Sequence, residues 1–160
     1  MRRDDFERLY EEHAQPLFGF LAYRTGDAAL AEDLLADTFE RALRARARFD
    51  RRKASEKTWL YAIALNLLRD SARRSKTEAR ALERLPHEAP GSSDALAAVE
   101  HRDQVQRALT ILSDEEREAI ALRFGGDLTV PEIAKLLKEP LPRVEGRVYR
   151  SLRKLREELD

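Results

Sequence analysis

The sequence predicts an all-α protein: two small helical domains joined by a flexible linker, the C-terminal one carrying a helix-turn-helix. Three observations lead there. Apolar residues recur at spacings of three and four along almost the whole chain, and no stretch alternates as a half-buried strand would. Ala, Leu, Arg and Glu, all strong helix formers, dominate the composition. The periodicity fails only once at length, around HEAPGSSD, whose Pro, Gly and Ser residues suit a linker. The domain boundaries read from this break are 1–75, 76–94 and 95–160.

The first helix is expected to be capped by Asp4 or Asp5, with Phe6, Leu9, Tyr10, His13, Leu17, Phe20 and Leu21 on one stripe and Pro16 kinking or interrupting it. Thr25-Gly26-Asp27 supplies a stop and a new cap. A second helix is expected over residues 28–47, with Leu30, Leu34, Leu35, Thr38, Phe39, Ala42 and Leu43 inward and an Asp37–Arg41 pair outside. DRRKASEK at 50–57 reads as loop. A third helix, opening at Lys57 or Thr58 and ending near Arg74, turns Trp59, Leu60, Ile63, Ala64, Leu67 and Leu68 inward.

Beyond the linker a helix is expected from Asp94 to about Leu112. Ser113 with Glu116, and Thr129 with Glu132, match the capping box and open two more. The first of these runs to Phe124 and stops at Gly125-Gly126. Pro140 and Pro142 bracket a turn before the last helix, whose seam is Val144, Val148, Leu152, Leu155 and Leu159.

Composition excludes several classes of activity. The chain has no cysteine, so disulfides and thiolate metal sites are ruled out and a reducing cytoplasm is the natural setting. His13, His87 and His101 are scattered, and no Gly-rich phosphate loop or framed nucleophile occurs; neither metal, cofactor nor enzymatic activity is expected. No apolar run approaches the roughly 18–20 residues that span a bilayer, and MRRDDFERLYEEH lacks the apolar core of a signal peptide.

The net charge is zero but unevenly laid out. The balance is −6 over residues 1–40, +9 over 41–76, −5 over 77–120 and +2 over 121–160. Such segmentation suits different partners for different segments.

Three segments can carry binding. In the C-terminal pair, Arg143, Arg147 and Arg150 fall on or near one side of the last helix. There arginine can grip phosphate or fork onto guanine, although a helical hairpin with a solvated basic face fits the same residues. Over residues 41–76 basic residues interleave with Phe49, Trp59 and Tyr61, an arrangement that suits single-stranded nucleic acid; Trp59 alone fits a core position as well. On the second helix Asp33, Asp37, Glu40 and Arg41 form an exposed side fit for a basic partner helix, or simply a solvated surface.

Taken together and in this order, the three segments resemble bacterial RNA polymerase sigma factors of the extracytoplasmic-function (ECF) group. AEDLLADTFERAL resembles the segment that binds core polymerase. TWLYAIALNLLRDSARR resembles the helix that melts and reads the −10 promoter element. LSDEEREAIALRFGGDLTVPEIAKLLKEPLPRVEGRVYRSLRKLR resembles the domain that reads the −35 element. The resemblance covers nearly the whole chain. It implies polymerase contact through Asp33, Asp37, Phe39, Glu40 and Arg41. It implies −10 recognition on the single strand through Lys57, Trp59, Asn66, Arg69, Asp70, Arg73 and Arg74. Duplex −35 contact falls to Arg143, Glu145, Arg147 and Arg150. Core RNA polymerase, promoter DNA and an inhibitory anti-sigma factor are the implied partners.

The chain departs from the pattern at Ala36, where glutamine is usual, and at Lys138, where glycine is usual. It departs again along Pro142-Arg143-Val144-Glu145-Gly146, where Gly-Thr-Val-Lys-Ser is usual. Glu145 would repel a phosphate yet accept from a cytosine amino group. A free-standing helix-turn-helix regulator, or a sigma-like decoy that binds an anti-sigma factor, are the competing readings. Charge reversal at Arg147 and Arg150 is the step that separates the decoy from a promoter reader.

Overall fold

The computed structural model describes residues 1–81, 104 and 107–159. Six α-helices organise them: α1 (Arg3–Thr25), α2 (Ala28–Ala45), α3 (Glu56–Ala81), α4 (Asp114–Ile120), α5 (Val130–Leu137) and α6 (Leu141–Leu159). A 3-10 turn (Arg46–Arg48) follows α2 and a π-helical turn (Ala121–Gly125) follows α4. The described residues contain no strand. None of their helices is long and apolar enough to cross a membrane.

The first three helices pack around Leu9, Leu17, Phe20 and Leu21 of α1, Leu34, Phe39 and Ala42 of α2, and Leu60, Tyr61, Ala64 and Leu68 of α3. Pro16 does not interrupt α1. An interior proline costs about 3 kcal/mol. Four fully buried side chains on α1, each worth about 1.5–3 kcal/mol, outweigh it. The N-cap is Arg2 rather than Asp4 or Asp5, and the Arg2 N–H donates to the Asp5 carboxylate at 3.4 Å. Gly26 ends α1 in the left-handed region at φ 69°, and Asp27 caps α2 by accepting from the Leu30 N–H at 3.2 Å.

Helix α3 opens one residue earlier than expected, with the Ser55 hydroxyl accepting from the Thr58 N–H at 3.1 Å. It continues past Arg74 to Ala81, because RSKTEARA contains neither Gly nor Pro to stop it. Of the expected linker at 76–94, residues 82–94 lie outside the described residues. So does most of the helix expected from Asp94; residues 107–109 are its helical end.

The helices α4 to α6 surround Ala119, Ile120, Leu122, Leu128, Ile133, Leu136, Val144 and Val148. Both capping boxes form. The Ser113 hydroxyl accepts from the Glu116 N–H at 3.2 Å, and Glu116 accepts from the Ser113 N–H at 3.0 Å. Thr129 and Glu132 pair the same way at 3.3 and 2.9 Å. Thr129→Ala is therefore expected to cost about 1 kcal/mol and lower the melting temperature by about 2–8 °C, as read by circular dichroism.

The α4 pattern does not run unbroken to Phe124. At Ala121 it widens into the π turn, which closes with the Gly126 N–H donating to Ala121 O at 2.9 Å, and Asp127 follows at φ 58°. This turn packs against α1. A Cβ placed on Gly19 would lie 2.6 Å from the Gly125 carbonyl oxygen, and one on Gly125 would lie 2.8 Å from the Tyr23 ring. Only glycine at both positions allows backbone to meet backbone. In mid-helix Gly19 costs about 0.5–1 kcal/mol against alanine, and the close approach is its structural use. Tyr61 completes the contact: fully buried, its hydroxyl donates to Gly126 O at 2.8 Å.

Candidate nucleic-acid interface

Helix α5 ends at Lys138, which takes the left-handed conformation at φ 56° that glycine would adopt freely. For an L-residue this costs roughly 1–2 kcal/mol. The turn is closed by the Glu139 N–H donating to Ala134 O at 3.0 Å, a Schellman-type end. It carries Glu139 to the base of α6. Pro140 then caps α6, its carbonyl accepting from the Arg143 and Val144 N–H groups at 3.1 and 3.3 Å.

Glu139 receives Arg147. The guanidinium forks onto both carboxylate oxygens, Nη1 to Oε2 at 2.6 Å and Nη2 to Oε1 at 2.8 Å. Glu115 of α4 lies 3.9 Å away on the far side. Arg147 is only 8% exposed, which corrects its expected place on the outward face. At about 100° per residue, Arg147 lies about 40° from Arg143, toward Ser151 and Val148. The boundary with the core passes between the two arginines. Charge reversal at Arg147 would therefore probe folding before it probed DNA.

The pair shifts its own titration. The Arg147 hydrogen bonds hold the Glu139 carboxyl below its ordinary value of 4.5 and raise Arg147 in turn. Glu116 is lowered by a hydrogen bond from Lys154 at 2.9 Å and by the Ser113 N–H. For Glu132, burial alone would raise the value, but hydrogen bonds from Thr129 and Lys57 outweigh it and the net shift is downward.

A carboxyl depressed in the folded state stabilises it above the unfolded value, and that contribution fades as pH falls through the folded one. Stability is expected to be flat near neutrality and to drop below about pH 4.5. Urea midpoints measured against pH would show this, and Glu139→Gln should shallow the acid limb.

The outward arc of α6 comprises Arg143, Glu145, Tyr149, Arg150 and Arg153, all exposed. Gly146 leaves room for Arg150: a Cβ there would lie 2.9 Å from the Arg150 guanidinium. Sequence reasoning missed Tyr149, the most exposed large apolar side chain of the described residues at 63%. Arg153 lies 5.1 Å over its ring and donates to its hydroxyl at 3.4 Å, which lowers the phenol. Its spacing of four from Glu145 was the available signal. The seam also differs from expectation. Leu152 and Leu159 are exposed, while Ser151 is buried with its hydroxyl on Arg147 O at 2.6 Å.

On α3, Asn66, Arg69, Arg73 and Arg74 are exposed and Asp70 is half-buried. Asp70 accepts from Arg73 at 3.0 Å. Trp59 joins the base of this stripe, half-buried against Phe49 with ring centroids 5.0 Å apart. Lys57 does not share it, lying about 160° around the helix from Trp59. Its ammonium sits 3.2 Å from Asp127 O and 3.3 Å from Glu132. Tyr61 is core, not a stacking face, and burial pushes its phenol up. Arg69 reaches Glu118 of α4 at 3.4 Å.

On α2, Asp33, Asp37, Glu40 and Arg41 are exposed together. The ion pair that forms is Glu40–Arg44 at 2.6 Å rather than Asp37–Arg41. Phe39 stands behind this face, 6% exposed, with its ring 4.8 Å from Tyr10 and 6.2 Å from Phe6. It shapes the surface and does not present itself on it.

Residues 9–78 match the family model described as Sigma-70 region 2, and residues 108–157 match Sigma-70, region 4. The ECF RNA polymerase sigma factor SigX of Bacillus subtilis is 30% identical over 98% of this chain and 84% of its own length. The ECF RNA polymerase sigma factor BldN of Streptomyces coelicolor is 32% identical over 95% of this chain, which spans 59% of that relative. The fold is shared with the sigma factor RpoE in its complex with the anti-sigma factor NepR from Bartonella quintana. The TM-score there is 0.77 at 24% identity, covering 97% of this chain and 96% of that one. By its family matches and its relatives, the chain belongs to the extracytoplasmic-function sigma factors of bacterial RNA polymerase.

Proposed function

We propose that this sigma factor docks on core RNA polymerase through the acidic α2 face and engages a promoter at two places, through α3 and through α6. The observation that carries the reading is the division of α6. Arg147 is spent inward on Glu139, which leaves Arg143, Glu145, Tyr149, Arg150 and Arg153 as a continuous outward arc. Two α-helices joined by a tight turn, with such an arc on the second, can lay that second helix in a major groove. Arg143 and Arg150 then hold phosphate or guanine, and Glu145 accepts from a cytosine amino group.

The α3 stripe serves the melted strand. Arg69, Arg73 and Arg74 track its backbone, Trp59 offers a stacking edge, and Asn66 and Asp70 supply polar groups for a base. The domains of this reading are 1–75 and 95–160, joined by 76–94. An inhibitory protein partner, of the kind in the RpoE–NepR complex, belongs to the same reading.

Permanganate footprinting of promoter DNA with core polymerase tests it. Thymines of the −10 element should become reactive only when the chain is added. No added reactivity, with polymerase shown to be active, would contradict it.

A further inference from the structure

We infer that Gly146 is a positioning residue of the duplex reader: bare of a side chain at the crown of α6, it seats the Arg150 guanidinium over the helix backbone and aims it at the groove floor, where it takes a guanine edge rather than a phosphate. The inference rests on the functional reading given above and adds how this chain's own α6 holds its reader.

At about 100° per residue, Gly146 lies about 160° from each of the core valines Val144 and Val148. It therefore stands on the face turned furthest from the core. Yet it is half-buried, while Arg143, Glu145, Tyr149 and Arg150 around it are exposed. The nearest side-chain atoms that a Cβ there would meet belong to the Arg150 guanidinium, Nη1 at 2.9 Å, Cζ at 3.7 Å and Nη2 at 3.9 Å. A helical side chain leans back over the turn N-terminal to its own Cα, so the reach from 150 to 146 is the natural one. Any Cβ at 146 would close that seat.

The neighbouring arginines are held elsewhere. Arg147 forks onto Glu139, and Arg153 lies over the Tyr149 ring and donates to its hydroxyl. Of the three, Arg150 is the one whose guanidinium lies against the crown of α6.

When such a helix lies in a major groove, its crown faces the base edges and its flanks face the phosphate walls. A guanidinium already resting on the crown enters the groove with its rotamers restricted, which lowers the ordering cost of binding. Guanine presents O6 and N7 side by side, the acceptor pair that an arginine fork takes. Arg143, about 60° around from the crown, faces a phosphate wall instead.

Gly146→Ala and Arg150→Ala, singly and together, test this in the full chain with core polymerase, on duplex fragments carrying the −35 element of a mapped promoter and its single-base variants. Gly146→Ala should raise the melting temperature of the free chain by about 1–4 °C, since alanine favours the helix. It should nevertheless weaken binding to the guanine-bearing site about 2- to 12-fold, the share that ordering one arginine represents. Fragments with another base at that position should bind as before. The salt slope should also hold, because no phosphate contact is lost. In the Arg150→Ala background the same substitution should change affinity by less than about twofold. A gain in stability with a loss of base preference is not what a purely structural glycine would give.

Equal loss in both backgrounds would overturn the inference, because the added methyl would then obstruct the groove itself. Full guanine preference in Gly146→Ala would overturn it too. If Arg150→Ala binds every fragment as the wild type does, the reading of α6 as the duplex reader falls, and the seat falls with it.

Discussion

Replacing Arg147 with alanine is expected to destabilise the protein by about 2–3 kcal/mol, although its position in a recognition helix marks it as a DNA contact. The guanidinium makes two short hydrogen bonds to Glu139, and its side chain is 9% exposed against 25% for its partner. Removing one member of a buried pair leaves the other charge without its partner, and that penalty exceeds the net worth of the pair. The estimate sits below the full range for deeply buried pairs because Glu139 retains some access to water. Urea unfolding of the full chain measures it. Arg147→Met with Glu139→Gln should recover part of the loss, since neither residue then carries an unpaired charge. An Arg147→Ala variant that melts with the wild type would show that the pair does not anchor α6.

Arg150→Ala is expected to do the opposite. The side chain is exposed, so stability should move by no more than about 0.5 kcal/mol. Duplex affinity should fall by about 1–3 kcal/mol, roughly 5- to 150-fold, if the guanidinium forks onto a base. If it holds a phosphate instead, affinity should fall evenly across sequences and the salt slope should shrink by about 0.9. Titrating the reconstituted holoenzyme on −35 variants at several salt concentrations separates the two. Unchanged affinity at every salt would remove Arg150 from the interface. The contrast between two arginines three residues apart is the sharpest statement the α6 geometry makes.

Local chemistry in the sequence accounts for much of the fold. Gly26 and Asp27 end one helix and start the next, and both capping boxes lie where their residues stand. These features are set by neighbours within four residues, which a sequence displays. Effects that need a distant partner stay hidden. Arg147 reads as outward until Glu139 is brought beneath it by a left-handed Lys138, a conformation with no strong signal in a lysine. Gly125-Gly126 reads as a helix stop, yet Gly125 is the landing point for Gly19, more than a hundred residues earlier in the chain. Tyr61 reads as a stacking ring among basic residues because its acceptor, Gly126 O, is 65 positions away.

The candidate surfaces divide the same way. The periodicity that groups Asp33, Asp37 and Glu40 with Arg41, and Asn66 with Arg69 and Arg73, is local and legible. Which member of a group turns inward is decided by packing, as for Phe39 against Tyr10 and Lys57 against Glu132.

The central claim is that this chain gives core RNA polymerase its promoter preference through α3 and α6 together. Run-off transcription with purified core polymerase, on a template whose start site has been mapped in cells overexpressing the chain, tests it most directly. The account predicts a discrete transcript that requires the chain and is lost when either the −10 or the −35 element is scrambled. Output indifferent to both elements, or no transcript from a polymerase active with another factor, would contradict it.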